Sequence, residues 1–286
     1  MELFFDMLRS IVYGVIEGVT EWLPISSTGH MILAEQVLKF SLSAEFMEMF
    51  RVVIQLGAIL AVVVLYFKKL WPFCSDNGRD SGLARHIRWP VMRLWGKILV
   101  ACLPAAVLGL LLDDWMDAHL YNSVVVAIML IVYGIAFILI ERRPRVPTTT
   151  KLSRITYKQA IIVGVWQVLA LIPGTSRSGA TIIGGLLCGM SRACASQFTF
   201  FLAIPVMAGA SGLKLVKFLA KGGVFTLGEV GTLLVGCIVA FVVSILAIRF
   251  LMDYVKKHTF TVFGWYRIAL GILVLGIWAL QSFVLA

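Results

Sequence analysis

Residues 14–31 read GVIEGVTEWLPISSTGHM, an apolar run that carboxylates, a proline and hydroxyls interrupt in the middle. Proline cannot continue a helix, because it lacks the backbone N–H and its ring clashes with the preceding turn. Serine and threonine are favourable capping residues for a helix that follows. The pattern therefore predicts one helix that ends near Pro24 and a second that is capped by Ser27 or Thr28.

The composition of the whole chain indicates a membrane protein. Of its 286 residues, 60% are hydrophobic and 14% are charged, whereas soluble domains are about half apolar and about a quarter charged. A domain of this size cannot bury the excess, so lipid must solvate it. Continuous apolar runs favour helices over a barrel. Five scattered cysteines without a CxxC pair indicate neither a disulfide framework nor a zinc site. The predicted fold class is an all-α polytopic membrane protein.

A second interrupted segment, LALIPGTSRSGAT at residues 169–181, has the same mixture of proline, hydroxyls and glycine. Such a loop cannot face lipid, but it can line a protein-walled cavity at membrane depth. We expect residues 7–40 and 160–190 to form two re-entrant helix–turn–helix segments. Six further segments are apolar enough to span the membrane with help from flanking residues: 52–67, 98–112, 124–140, 198–213, 230–248 and 261–285.

The order of one broken segment followed by three spans occurs twice. An offset of 150 residues places Ser26 on Ser176 and Glu17 on Gln167. The chain is therefore predicted to be a single integral membrane domain with repeat halves at about 1–150 and 151–286. Because each half has three spans, the second copy must be upside down, and inverted repeats place a site near the bilayer midplane.

The net charge is +10, and the basic residues flank apolar runs as membrane-flanking residues do, so we expect no nucleic-acid partner. Lysine and arginine concentrate in the connections within 68–97, 142–158 and 249–257. Positive residues favour the cytoplasmic side. Both termini are therefore predicted to lie outside the cytoplasm.

Glu17 and Glu21 are four residues apart, so on a helix they share one face. Two close carboxylates in an apolar segment repel each other and are costly to bury. We expect a divalent cation such as Mg²⁺ or Ca²⁺ between them, since hard cations prefer carboxylate oxygens, or a general-base role for one of them. The alternative is a pair of solvated residues at a wet edge.

The residues after Pro24 combine hydroxyls with a helix N-terminus, which is a ready anion site. His30 lies one turn from Ser27, and a serine with a nearby histidine and carboxylate matches the nucleophile, base and orienting group of covalent catalysis. The alternative is a serine-rich turn with a structural histidine. The anion-binding residues expected here are Ser26, Thr28 and Gly29.

Arg177 lies in the second break, and an arginine at membrane depth needs an anion. A substrate phosphate suits its forked guanidinium, and an ion pair with Glu17 or Glu21 is the alternative. Ser176, Ser178 and Thr181 would add hydrogen-bond donors to the phosphate site. Arg267, a few residues into the last span, is expected to reach the cytoplasmic surface, and ligand binding is the alternative.

The two quoted motifs, together with residues 50–64, resemble the bacitracin-resistance family of undecaprenyl-diphosphate phosphatases, and the resemblance extends along nearly all of the chain. It implies removal of the terminal phosphate from undecaprenyl diphosphate, so that the monophosphate is reused in cell-wall synthesis. It also implies a divalent cation, a place in the bacterial plasma (inner) membrane, and a nucleophile that is either Ser27 or His30.

The expected reaction is hydrolysis of a polyprenyl diphosphate by Glu17, Glu21, Ser27, His30 and Arg177. The expected partners are this lipid substrate and membrane lipids, and a homo-oligomer is left open. The alternative function is a transporter or flippase of the same lipid, because inverted repeats with midplane breaks are common among carriers. Pure transport would not need the serine, the histidine and the carboxylates.

Overall fold

The computed structural model describes residues 2–38, 40–75, 85–143 and 146–284, which are mostly helical. The predicted all-α membrane class is confirmed. Parts of two predicted cytoplasmic connections (76–84 and 144–145) and the end of the last predicted span (residue 285) lie outside the described residues. The helices are α1 (Glu2–Thr20), α2 (Ser27–Val37), α3 (Ala44–Val53), α4 (Gln55–Leu65), α5 (Phe67–Leu70), α6 (Trp89–Leu120), α7 (Ser123–Glu141), α8 (Tyr157–Val168), α9 (Arg177–Leu187), α10 (Arg192–Ala220), α11 (Leu227–Lys257) and α12 (Thr261–Val284).

Six stretches of the described chain are long and apolar enough to cross a membrane, so this is a multi-pass membrane protein. Each overlaps one predicted span, but most are longer than the prediction. The predicted spans were limited to the apolar core of each segment, and most of the helices continue into polar and aromatic residues beyond that core. The six stretches are Ala44–Leu65, Trp89–Leu112, Ser123–Glu141, Arg192–Ala220, Leu227–Lys257 and Thr261–Ser282.

Both predicted interruptions are present. The first separates α1 from α2, and the second separates α8 and a short 3-10 turn (Leu169–Leu171) from α9. Ser26 has φ 73° and Ser176 has φ 71°, and within the described ranges they are the only non-glycine residues with positive φ. Such a backbone is strained for a residue with a side chain. The same unusual turn therefore occurs twice, at the predicted offset.

The first helix of each broken segment lies backbone to backbone on a long helix from the other half. A Cβ added to Gly14 in α1 would lie 2.7 Å from the Gly236 carbonyl oxygen in α11. A Cβ added to Gly164 in α8 would clash with the Ala101 carbonyl oxygen in α6. The first helix of each half thus makes the same kind of contact with the other half, which agrees with the predicted internal repeat. The inverted relation of the halves, the re-entrant path and the side of the termini stay predictions.

A buried aromatic and aliphatic cluster supports the two breaks from one side. Trp22, directly after Glu21, packs edge-on against Phe200 in α10 at a centroid distance of 5.3 Å. Ile182 and Ile183 of α9 and Phe198 of α10 are fully buried in the same cluster. This packing fixes α9 and α10 beside the first break.

Gly134→Ala should push α7 away from α12. The added Cβ would lie 2.7 Å from the Gly264 carbonyl oxygen, and overpacking of this kind costs roughly 1–3 kcal/mol. We expect a lower thermal unfolding midpoint in detergent. Gly276→Ala in α12 is the control, because its Cβ would meet nothing within 4 Å. Equal midpoints for the two variants would contradict this account of the helix crossing.

Candidate active site

The first break is a continuation of α1 that stops abruptly. The Glu21 N–H still donates to the Glu17 carbonyl oxygen at 3.0 Å, so the two carboxylates remain on one side of the chain. The predicted capping position is wrong: α2 begins at Ser27, and Ser26 is the capping residue. The chain reverses at Ser26 through its positive φ, so the helix starts one residue earlier than the hydroxyl pattern suggested.

The second break has the same form, with an arginine as the first residue of its helix. Ser176 caps α9, and its hydroxyl accepts the Gly179 N–H at 3.2 Å. The hydroxyls of Ser176 and Ser178 lie 3.1 Å apart. Arg177 therefore projects from a helix N-terminus that hydroxyl groups surround.

An ion pair joins the two breaks. Nε and Nη2 of Arg177 each donate to Oε1 of Glu21 at 3.1 Å, while Nη1 donates to the Thr199 carbonyl oxygen at 2.9 Å. The Ser178 hydroxyl donates to the Leu23 carbonyl oxygen at 3.3 Å. The sequence analysis gave an ion pair with Glu17 or Glu21 as the alternative role of Arg177, and the pair with Glu21 is formed.

Glu21 also faces the serine-rich turn. The Ser27 hydroxyl donates to Oε2 of Glu21 at 3.3 Å. Glu21 therefore lies between a fixed cation and a hydroxyl group, with one oxygen directed to each. A carboxylate in this position is able to accept the proton of the hydroxyl.

His30 does not form part of this arrangement. Its Nδ1 lies 2.7 Å from the Ser26 carbonyl oxygen, and its Nε2 lies 2.7 Å from the hydroxyl oxygen of Tyr266 in α12. Both ring nitrogens of His30 therefore face groups other than the Ser27 hydroxyl. The serine and the histidine are close along α2, but they are oriented by different partners.

Several buried polar atoms around the breaks have no hydrogen-bond partner among the described residues. Buried polar groups in proteins are nearly always paired, so unpaired ones need an explanation. Here they belong to residues of, or beside, the two breaks, which is consistent with a pocket that takes a polar ligand or water. They are Oε1 of Glu17, the hydroxyl oxygens of Ser26 and Thr175, and both polar atoms of the Gln167 amide.

Glu17 and Glu21 are the two carboxylates at the breaks that could offer oxygen donors to a divalent cation. Glu17 has the unpaired buried oxygen, and its carboxyl group is close enough to that of Glu21 to interact with it. In the described chain, no three side chains of the types His, Cys, Asp and Glu form a group. Mg²⁺ is commonly bound by one or two carboxylates together with phosphate oxygens and water, which matches this donor set.

Residues 10–273 match the family described as "Bacitracin resistance protein BacA". The chain belongs to this family. It is 60% identical over 278 residues to a protein of Enterococcus faecalis strain V583 named undecaprenyl-diphosphatase, which covers 96% of this chain and 99% of the relative. It is 56% identical over 282 residues to a protein of the same name from Streptococcus gordonii, which covers 98% of both chains.

In this BacA-family chain, two residues predicted to bind substrate, Thr181 and Gly29, make packing or hydrogen-bond contacts within the protein. Thr181 is fully buried, and its hydroxyl donates to the Arg177 carbonyl oxygen at 2.8 Å while it accepts from Thr199 at 2.8 Å. Thr181 therefore stabilises the backbone at the start of α9. Gly29 allows α2 to approach α7, since an added Cβ would lie 3.0 Å from a Leu130 methyl carbon.

Arg267 is a residue at the two breaks whose position the sequence reasoning misjudged. The prediction that it reaches the surface is wrong, because the side chain is fully buried. Its guanidinium donates to the carbonyl oxygens of Gly174 and Thr175 at 2.9 Å and of Pro24 at 3.2 Å. Further donation goes to Met129 and Leu130 of α7 at 3.4 Å each. One side chain therefore holds both breaks from behind.

A signal for this role was present in the sequence. An arginine within an apolar span is rare and marks a functional or structural site by default. The sequence could not show which partners it meets, because those carbonyl groups come from distant segments.

Arg267→Leu should destabilise the protein, because it leaves buried carbonyl groups of both breaks without donors, at roughly 1–3 kcal/mol for each group. The thermal unfolding midpoint in detergent should fall clearly. Lys256→Leu is the control: Lys256 pairs with Asp253 at 2.7 Å near the C-terminal end of α11, and both side chains are exposed. Exposed pairs contribute little. A smaller effect at Arg267 than at Lys256 would contradict its role in joining the breaks.

Proposed function

We propose that this chain hydrolyses undecaprenyl diphosphate to undecaprenyl phosphate and inorganic phosphate. The carrier lipid would thereby return to peptidoglycan synthesis, and this activity would underlie resistance to bacitracin. Relatives that are 55–60% identical over nearly their full length are named undecaprenyl-diphosphatase. The observation that carries the mechanism is the position of Glu21 between Arg177 and Ser27.

The diphosphate enters between the two breaks while the prenyl tail stays in lipid. The helices α2 and α9 both begin at this place, and N–H groups at helix N-termini would bind the phosphate oxygens. Arg177 supplies the fixed cation, and the hydroxyls of Ser176 and Ser178 flank it. Ser26, Thr28 and the Gly29 backbone contribute from the opposite turn. Fixed donors of this kind stabilise the charge that develops in phosphoryl transfer.

Ser27 is the nucleophile, and Glu21 accepts its proton. The support is geometric: the Ser27 hydroxyl already donates to Glu21, whereas the Nε2 of His30 is engaged with Tyr266. Ser27 is partly accessible, whereas the neighbouring Ser26 is buried. Water then releases phosphate from the serine, with His30 as acid or base.

Glu17 and Glu21 are the residues that would hold a divalent cation, Mg²⁺ or Ca²⁺, and such a cation would neutralise negative charge on the phosphate groups. Arg177 keeps one oxygen of Glu21 oriented while the second remains directed at Ser27. We also propose a location in the bacterial inner membrane, with both termini outside the cytoplasm.

Ser27→Ala and Arg177→Ala should each reduce phosphate release from a prenyl diphosphate by at least about a hundredfold, the scale seen when one transition-state donor is removed. Purified variants in detergent micelles are assayed for inorganic phosphate, and thermal unfolding shows whether they are folded. Ser282→Ala at the exposed end of α12 is the matched control. Full activity in either site variant refutes the role proposed for that residue.

The same assay separates hydrolysis from the transport alternative. A micelle has no second compartment, so transport alone cannot release phosphate. A folded wild-type protein without phosphatase activity in micelles would favour a lipid carrier.

Removal of divalent cations with a chelator should abolish phosphate release, and added Mg²⁺ or Ca²⁺ should restore it. Glu17→Gln should raise the cation concentration needed for half-maximal activity, because it removes one charged oxygen donor. Glu45→Gln in α3 serves as a control carboxylate outside the breaks. Activity that is indifferent to chelation would contradict the cation site.

A further inference from the structure

The ring of His30 is held in one defined protonation pattern. A carbonyl oxygen only accepts hydrogen bonds, so Nδ1 must carry the proton that it shares with the Ser26 carbonyl at 2.7 Å. In the neutral ring, Nε2 then has the free electron pair. The Tyr266 hydroxyl, 2.7 Å away, donates its proton to that nitrogen.

The tyrosine is the outer member of this pair. Tyr266 is 47% exposed, and His30 and Ser27 are both partly accessible. The side chain of Tyr266 is therefore not enclosed by protein, and the relay described below requires water to reach its phenol oxygen. Any proton that reaches Nε2 of His30 along this hydrogen bond must come through the Tyr266 oxygen.

The proposed reaction needs a second base. After the first step, Glu21 carries the proton of Ser27, and its other oxygen is held by Arg177. It is therefore unable to deprotonate the water that attacks phosphoserine. His30 lies on the first turn of α2, the helix that presents Ser27, and is hydrogen-bonded to Tyr266 of α12, so the two side chains form an acid–base pair.

We propose that Tyr266 is a catalytic proton relay, through which His30 activates the water that hydrolyses the phosphorylated Ser27. This inference rests on the proposed phosphatase function and assigns a residue to its second step. Water passes one proton to the Tyr266 oxygen as the Tyr266 proton moves to Nε2 of His30.

The atoms balance in this step. The water oxygen forms a bond to phosphorus, and the bond from phosphorus to Oγ of Ser27 breaks. Glu21 returns its stored proton to Oγ of Ser27. The imidazolium of His30 afterwards releases its proton to solvent, and Tyr266 is again protonated.

The test uses the full-length protein in detergent and a prenyl diphosphate that is radiolabelled in the terminal phosphate. Tyr266→Phe should lower steady-state phosphate release by at least about tenfold, less than the full effect of a general base. Serine-bound label should accumulate towards one per protein in acid-quenched samples, because the first step is intact. His30→Gln should behave in the same way, and the double variant should be no slower than the slower single variant.

The controls distinguish the relay from a structural role. Tyr254→Phe removes a hydroxyl from a tyrosine whose ring stacks on His258 at the C-terminal end of α11, and it should leave both readouts unchanged. Adding Ser27→Ala to Tyr266→Phe should abolish the label. Normal turnover in Tyr266→Phe, or slow turnover without accumulated label, overturns the relay. Absence of phosphate release from the wild type would instead refute the proposed function itself.

Discussion

The ion pair between Glu21 and Arg177 is the constraint on which the site depends. Both side chains are nearly buried, at 8% and 10% exposure, and an unpaired charge in this environment would be very costly. The two residues come from breaks that are distant in the chain. Their pairing therefore fixes the tips of the two broken segments against each other, and it turns the second oxygen of Glu21 towards Ser27.

A second cation stabilises the same junction from behind. Arg267 is hydrogen-bonded to backbone carbonyls of both breaks, so among the described residues its positive charge is solvated by peptide dipoles and not by a carboxylate. Arg267 and Arg177 thus place two positive charges at the junction, beside the carboxylates of Glu21 and Glu17. In the proposed function this junction receives the diphosphate headgroup while the lipid tail stays in the membrane.

Much of this arrangement was predictable from local sequence. Pro24 and the hydroxyls that follow it predict a break, because their effects act within one or two turns of the chain. The offset between Ser26 and Ser176 also follows from the sequence, and the structure places the same strained backbone at both positions. The capping residue of α2, Ser26, could not be predicted from the sequence, because it depends on how sharply the chain reverses before the helix.

The contacts made by α12 were not predictable. Arg267 and Tyr266 meet the breaks only because α12 packs beside α2 and α7, and hydropathy does not reveal which face of a span turns inward. Arg267, which the sequence places at the membrane edge, is thus a buried residue that joins the two breaks. Its neighbour Tyr266 is the hydrogen-bond partner of His30.

A double-mutant cycle on the Glu21–Arg177 pair tests the central claim most directly. The free energy of unfolding is measured in mixed detergent for the wild type, Glu21→Gln, Arg177→Met and the double variant. A direct ion pair across the two breaks predicts a coupling energy of at least about 1 kcal/mol. Additive effects of the two substitutions would show that the breaks do not meet through this pair, and would contradict the account.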